Sequence, residues 1–158
     1  MMGFRGLFEK ELLFLKNNLI HYLNYWPENP EWRPTPSSYS FLTLANHLYT
    51  LPAAYNALFR GSSTEELMSL WGGPWHGKSR EDLRSILISG VSSIQEFLND
   101  HSSDLEKHIP WPFGDPLPLQ EHLLNLLTHM YHHRGQMHLY LKQLGAEVDT
   151  GTVYAGSF

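Results

Sequence analysis

The sequence contains no cysteine in its 158 residues. This absence excludes a disulfide framework, thiolate zinc sites, iron–sulfur clusters and a cysteine nucleophile, and it favours a location in the reducing cytoplasm. Lysine and arginine form no block, and the formal net charge is −5, whereas a protein that binds duplex nucleic acid usually carries a basic patch. We therefore expect a cytoplasmic protein without a nucleic-acid partner.

Long apolar runs are absent as well. The longest stretch without a charged residue, 34–59, is interrupted by two prolines, two asparagines and a histidine, so it is typical of a buried helix rather than a bilayer span. The amino terminus has no apolar segment that ends in a small-residue cleavage site. A chain of this length most simply forms one domain, and we expect residues 1–158 to do so without contact with a membrane.

Apolar residues recur at intervals of three and four along four segments, which is the pattern of amphipathic helices. The segments run from Phe4 to about Tyr25, from Ser37–Ser40 to about Phe59, from Ser79 to about Leu98, and from Leu119 to Leu144. Four long helices joined by connections rich in proline and tryptophan predict an all-α protein, a four-helix bundle.

The ends of these helices carry recognisable signals. The stretch 79–82 has the spacing of a capping box, three serines are candidate N-caps for the second helix, and Gly145 is expected to end the fourth helix. The connections 26–38, 71–77 and 100–118 are rich in proline or glycine and are interpreted as loops and linkers. We expect 71–77 to cover part of a site.

Ten histidines stand out in this chain. His129 and His133 lie one turn apart on the fourth helix, about 6 Å from each other, so both rings can reach one metal ion. His47 is the one histidine of the second helix and is flanked by buried positions, which makes it a candidate third ligand. His132 is expected to face outward.

Two interpretations of these histidines stay open on the residues alone. A histidine on an apolar face is often an ordinary core residue that bonds a carbonyl or a hydroxyl, and a His-x-x-x-His pair can arise by chance in a histidine-rich chain. Three imidazoles that meet in an apolar interior, however, would each cost about 1–3 kcal/mol without partners. A divalent metal ion removes that cost.

The string His129-Met130-Tyr131-His132-His133-Arg134-Gly135-Gln136 resembles the His-x-x-x-His-Arg-Gly-Gln signature of the DinB-like (DinB/YfiT) superfamily, and 40–48 resembles its helix-two block, which ends in the first metal histidine. The resemblance spans roughly 4–146. It implies a metal-binding four-helix bundle, a homodimer, and His47, His129 and His133 as metal ligands. Gly135 is interpreted as permitting close helix packing, and Arg134 and Gln136 as tying neighbouring helices together.

The resemblance also implies a function. Thiol-dependent transfers, along with related isomerase chemistry, are the activities that the resemblance suggests, so we expect a metal-dependent transferase that joins a low-molecular-weight thiol to a small electrophilic substrate. A metal-dependent hydrolase and a non-catalytic metal-binding stress module remain alternatives, and no catalytic residue beyond the ligands is assigned.

The ligand set leaves the metal undecided. Zn²⁺, Ni²⁺, Mn²⁺ and Fe²⁺ all accept imidazole and water as ligands. Each histidine must be neutral to bind, so we expect metal release below about pH 6, near the ordinary pKa of imidazole. Trp71, Trp75 and Trp111 are candidates for an apolar wall at the mouth of the site, although each can instead pack against the core.

Overall fold

The computed structural model describes residues 3–71, 76–100, 104–149 and 151. Its long helices are α1 (Phe4–Tyr22), α2 (Phe41–Phe59), α4 (Arg80–Asp100) and α5 (Leu119–Gln143). Its shorter elements are helix α3 (Thr64–Trp71) and an antiparallel hairpin of β1 (His108–Trp111) and β2 (Gly114–Pro118). The predicted all-α helical bundle is confirmed, with this small hairpin added.

Helices α1 and α2 each pack against both α4 and α5, so the four long helices surround one shared core. The apolar stripes point inward as their periods predict, and Leu12, Leu48, Leu87 and Leu126 have no measurable exposure. Each such leucine contributes about 1.5–3 kcal/mol on burial. This arrangement sets α2 directly against α5, the two helices that carry the predicted ligands.

The helix ends follow the sequence signals. Ser40 is the N-cap of α2, where its Oγ accepts a hydrogen bond from the Thr43 amide at 3.1 Å. Ser79 and Asp82 form the reciprocal pair of a capping box, each side chain accepting from the other's amide at 3.1 Å. Gly145 follows α5 with a φ of +82°, a conformation that glycine adopts without strain.

Two elements depart from the sequence-based interpretation. The linker predicted at 100–118 contains the hairpin, in which Ile109 pairs with Leu117 and Trp111 with Gly114. A two-stranded sheet has only edge strands, so prolines that lack an amide hydrogen are tolerated in it. Helix α3 is the second departure. It forms at Thr64–Trp71, between the second predicted helix and the predicted connection 71–77, where no element was expected.

Gly90 and Gly135 have opposite surroundings. A Cβ placed on Gly90 would lie 2.7 Å from the backbone nitrogen of Ala53, so the missing side chain lets α4 approach α2 closely. A Cβ on Gly135 would meet no atom within 4 Å. The prediction that Gly135 permits close helix packing is therefore wrong, and Gly90 has that role.

Within the described residues, no helix is both long enough and apolar enough to cross a membrane. The connection predicted to cover the site, 71–77, lies mostly outside the described residues, as do Trp75 and the side chain of Trp71. The homodimer and the cytoplasmic location remain predictions.

Candidate metal centre

His47, His129 and His133 converge at the contact between α2 and α5. Each offers one ring nitrogen, and these three atoms lie within 4.8 Å of one another. The Nε2 atoms of His47 and His129 are 3.1 Å apart. Within the described parts of the chain, these residues are the one group of potential ligands close enough to share a metal ion.

The separations of the ring nitrogens fit a metal ion. Two imidazole nitrogens bound to one tetrahedral zinc ion at about 2.1 Å lie about 3.4 Å apart. The Nε2 atoms of His47 and His129 lie 3.1 Å apart, near that separation, and a pair at the 4.8 Å limit of the group would need to close by about 1.4 Å. Small side-chain rotations supply such a movement.

The electrostatics of the cluster favour the form that binds metal. Burial, followed by the charges of His133 and His129, lowers the pKa of His47 to about 4. Burial, followed by the charges of His133 and His132, lowers the pKa of His129 to about 4. The rings are therefore neutral at pH 7, as ligation requires, and protonation is moved well below the predicted pH 6.

Gln136 contacts a predicted ligand directly. Its side-chain oxygen lies 2.7 Å from Nδ1 of His133, so Nδ1–H donates to the oxygen and Nε2 is left as the ligand atom. Burial still lowers the pKa of His133 despite this hydrogen bond, which acts to raise it. Gln136 therefore orients a predicted ligand of its own helix, and the prediction that it ties two helices together is wrong.

Arg134 lies on the opposite side of α5. Its guanidinium stands 4.9 Å from the ring centre of Tyr131 and 6.0 Å from that of Phe14 on α1. The Tyr131 hydroxyl donates to Glu11, also on α1. These contacts support the structural role predicted for Arg134, at the α1–α5 contact and away from the histidine cluster.

The remaining histidines of α5 lie outside the cluster. His138 Nδ1 is 2.9 Å from the Tyr22 hydroxyl, and the exposed His132 meets only the edge of the cluster through its ring contact with His133. His122 is completely buried, with Nε2 3.1 Å from the Ile109 carbonyl. This bond could not be predicted from the sequence pattern, because its partner lies on the unpredicted hairpin.

A cavity of about 580 Å³ opens beside His129 and His133. It is bounded by α2, α3, the hairpin and α5, and Trp111 lines it as predicted. Its lining residues are Leu51, Ala54, Tyr55, Leu58, Thr64, Leu67, Met68, Trp111, Pro112, Phe113, Asn125, Thr128, His129, His132 and His133. The sequence predicted an apolar wall at the mouth of the site but not the shape of the cavity, since two of its four walls are elements that the sequence pattern did not reveal.

Fold and site together define a class of protein, a four-helix bundle in which two facing helices bring three histidines to the edge of a cavity. Residues 27–155 match the model of the DinB family. The chain therefore belongs to the DinB family, in agreement with the resemblance of its histidine motif.

Two solved structures share the fold. A protein from Exiguobacterium sibiricum 255-15, described as a member of the DinB family, superposes with a TM-score of 0.78 at 22% identity, over 96% of this chain and 99% of its own. A DinB-like protein from Bacillus cereus ATCC 10987 superposes with a TM-score of 0.72 at 20% identity, over 90% of this chain and 93% of its own. No curated protein matches the sequence.

Proposed function

We propose that this DinB-family protein is a divalent-metal-dependent enzyme of the thiol-transferase type that acts on a small electrophile. One observation carries the proposal: three ring nitrogens within 4.8 Å of one another lie beside a cavity large enough for a substrate. Zn²⁺, Ni²⁺, Mn²⁺ and Fe²⁺ are all compatible with such a ligand set.

The residues of the site have separate tasks. His47, His129 and His133 would hold the ion as neutral rings, while Gln136 fixes the orientation of His133. When bound, such an ion supplies a Lewis acid whose full charge makes a coordinated thiol more acidic. The apolar walls of the cavity exclude water from the electrophile, which limits competing hydrolysis.

The reaction is a substitution at the electrophile. A carbon–sulfur bond forms between the thiol and the substrate, the bond from that carbon to its leaving group breaks, and the leaving group departs with the bonding electrons. The proton of the thiol passes to solvent. No oxidant or reductant is required.

The first test measures metal content. Freshly purified protein is expected to contain about one equivalent of a divalent ion, and His133→Ala less than about a tenth of an equivalent. His132→Ala is the matched control, because it removes the neighbouring imidazole while leaving the three proposed ligands, and it should keep the ion. Both variants should retain helical circular dichroism, since the apolar stripe of α5 still packs.

The second test measures turnover. Metal-loaded protein is incubated with chlorodinitrobenzene and a panel of low-molecular-weight thiols, and His108→Ala, an exposed histidine outside the cavity, serves as the control. Conjugation above the rate without protein, lost in His133→Ala and kept in His108→Ala, supports the proposal. Bound metal without conjugation for any thiol contradicts it and favours a metal-binding module, whereas metal-dependent ester cleavage without conjugation favours a hydrolase.

A further inference from the structure

The cavity beside the histidines has an unusual lining. Among the described residues that form it there is no aspartate, glutamate, lysine or arginine. Leucine, methionine and aromatic side chains from α2, α3 and the hairpin supply most of its wall. An ionised group placed against such a wall loses hydration without gaining an acidic or basic side chain of opposite charge, which is costly.

Aromatic rings form one side of the cavity. Trp111 and Phe113 meet edge to face with ring centres 5.3 Å apart, and Tyr55 lies across from Trp111 at 6.4 Å. Phe113 is a large apolar residue at the tip of the hairpin, and it is 72% exposed. Rings at these separations present both edges and faces to a planar guest, for which stacked and edge-on contacts are favourable.

The hairpin that carries this wall is held in place by contacts with α5. His122, fully buried on α5, bonds the Ile109 carbonyl through Nε2, and its ring lies 5.2 Å from that of Trp111. A buried hydrogen bond and a ring contact therefore hold β1 against α5. The aromatic wall is consequently present before any ligand binds, which reduces the entropic cost of binding.

Tyr55 and Asn125 supply neutral polar groups. The Tyr55 hydroxyl and the Asn125 amide make no hydrogen bond to any of the described residues, and both side chains line the cavity. Thr128, in contrast, donates its hydroxyl proton to the main-chain carbonyl of Asn125 at 3.0 Å. The Tyr55 hydroxyl can therefore donate a hydrogen bond to a guest.

We propose that this cavity binds the electrophilic substrate, and that the body of this substrate is an uncharged ring system with a hydrogen-bond acceptor directed at the Tyr55 hydroxyl. The statement that the guest is the substrate rests on the proposed function, whereas the chemistry expected of the guest rests on the cavity alone. A volume of about 580 Å³ falls in the usual range for small-molecule sites, about 300–1,000 Å³.

Binding is tested on protein stripped of metal with EDTA, at about pH 7.5, so that an ion cannot attract an anionic probe. Three matched probes are titrated by protein-detected NMR: naphthalenemethanol, which is neutral, naphthoate, which is anionic, and naphthylmethylammonium, which is cationic. The alcohol is expected to bind at least about 10-fold more tightly than either ion. Equal or tighter binding of a charged probe, or no binding of the alcohol, overturns the proposal.

Variants locate the probe. Phe113→Ala changes an exposed residue and should still fold, and it is expected to weaken binding of the alcohol by about 3- to 10-fold. Leu139→Ala is the control, because this residue is also an exposed apolar side chain, 55% accessible, but lies outside the cavity. Equal effects of the two substitutions would contradict binding in the cavity.

Tyr55→Phe tests the hydrogen bond. It should weaken binding of naphthalenemethanol by about 2- to 10-fold and leave methylnaphthalene, which lacks the hydroxyl, unchanged. An equal loss for both probes would contradict a hydrogen bond to Tyr55. Because no metal and no turnover are involved, failure of the conjugation assay with binding retained rejects the thiol transfer alone, whereas loss of selectivity for the neutral probe rejects the cavity assignment alone.

Discussion

Acidification is expected to weaken metal binding far less here than at a cluster of exposed histidines. The ion binds neutral imidazole, and a lowered pKa keeps the ring neutral to lower pH, so affinity persists as the pH falls. Burial, reinforced by neighbouring rings, lowers the pKa of His47 and of His129 to about 4 in each case. The pKa of His133 is also lowered by burial, against the hydrogen bond to Gln136.

The size of the effect follows from competition between protons and the ion. At about pH 5 an imidazole with the ordinary pKa of about 6.5 weakens the apparent affinity about 33-fold, so three such ligands lose about 30,000-fold. With pKa values of about 4, His47 and His129 together lose only about 1.2-fold. Even if His133 kept the ordinary value, the total loss would stay below about 40-fold.

Isothermal titration calorimetry in two buffers of different ionisation enthalpy counts the protons released per ion bound. At about pH 6, three ordinary imidazoles would release about 2.3 protons, and this site is expected to release no more than about 0.8. His108→Ala, which removes an exposed histidine outside the site, should leave the count unchanged. Release of more than about two protons, or an affinity loss above about 1,000-fold at pH 5, would refute the inference that burial keeps these rings neutral.

Substitutions at Gln136, Gly90, Gly135 and Ser40 test the supports of the site and the fold. Gln136→Ala should lower metal affinity by about 10- to 100-fold and leave the melting temperature of the metal-free protein unchanged. A lower melting temperature of the metal-free variant would mean that Gln136 is only structural. Gly90→Val should cost about 1–3 kcal/mol of unfolding free energy in urea titrations, whereas Gly135→Ala should be neutral or stabilising by up to about 1 kcal/mol; a destabilising Gly135→Ala would restore the close-packing role. Ser40→Ala should cost about 0.5–2 kcal/mol, measured against Ser38→Ala, and equal effects would contradict the N-cap assignment.

The long helices and the convergence of the histidines could be predicted because both depend on local spacing. An i to i+4 pair such as His129 and His133 shares a face in any α-helix. Their meeting with His47 requires only that α2 pack against α5, and in a bundle of four helices most pairs of helices are neighbours. The same periodicity sets the buried face of each helix, so both the core and the site could be predicted from it.

Helix α3 was missed although the sequence carries its signal. Ser63 and Glu66 have the Ser-x-x-Glu spacing of a capping box, and each side chain accepts from the other's amide, at 3.2 and 2.7 Å. The same spacing at Ser79 predicts the start of α4. A helix of eight residues shows too few turns for a periodic stripe, so the cap was the one local clue.

The hairpin could not be obtained from local pattern. Pro110, Pro112, Pro116 and Pro118 argue against strands when taken alone. What stabilises the hairpin is a contact distant in sequence, the bond between buried His122 and the Ile109 carbonyl. The roles of His122 and of Gly90 depend on a partner element, and no spacing along the chain reveals them.

The cavity and the lowered pKa values have one physical cause. The apolar walls of the cavity withdraw water from His129, which lines it, and desolvation by burial is the largest factor that lowers the pKa of both His129 and His47. At pH 7 His47 and His129 are therefore neutral before an ion binds, and the described lining holds no aspartate, glutamate, lysine or arginine. A divalent ion held there would be the dominant local charge, acting at low effective dielectric, where its field on a bound thiol is stronger than in water. Substitutions that introduce water or a carboxylate into the wall should for this reason weaken the chemistry of the site without touching a ligand.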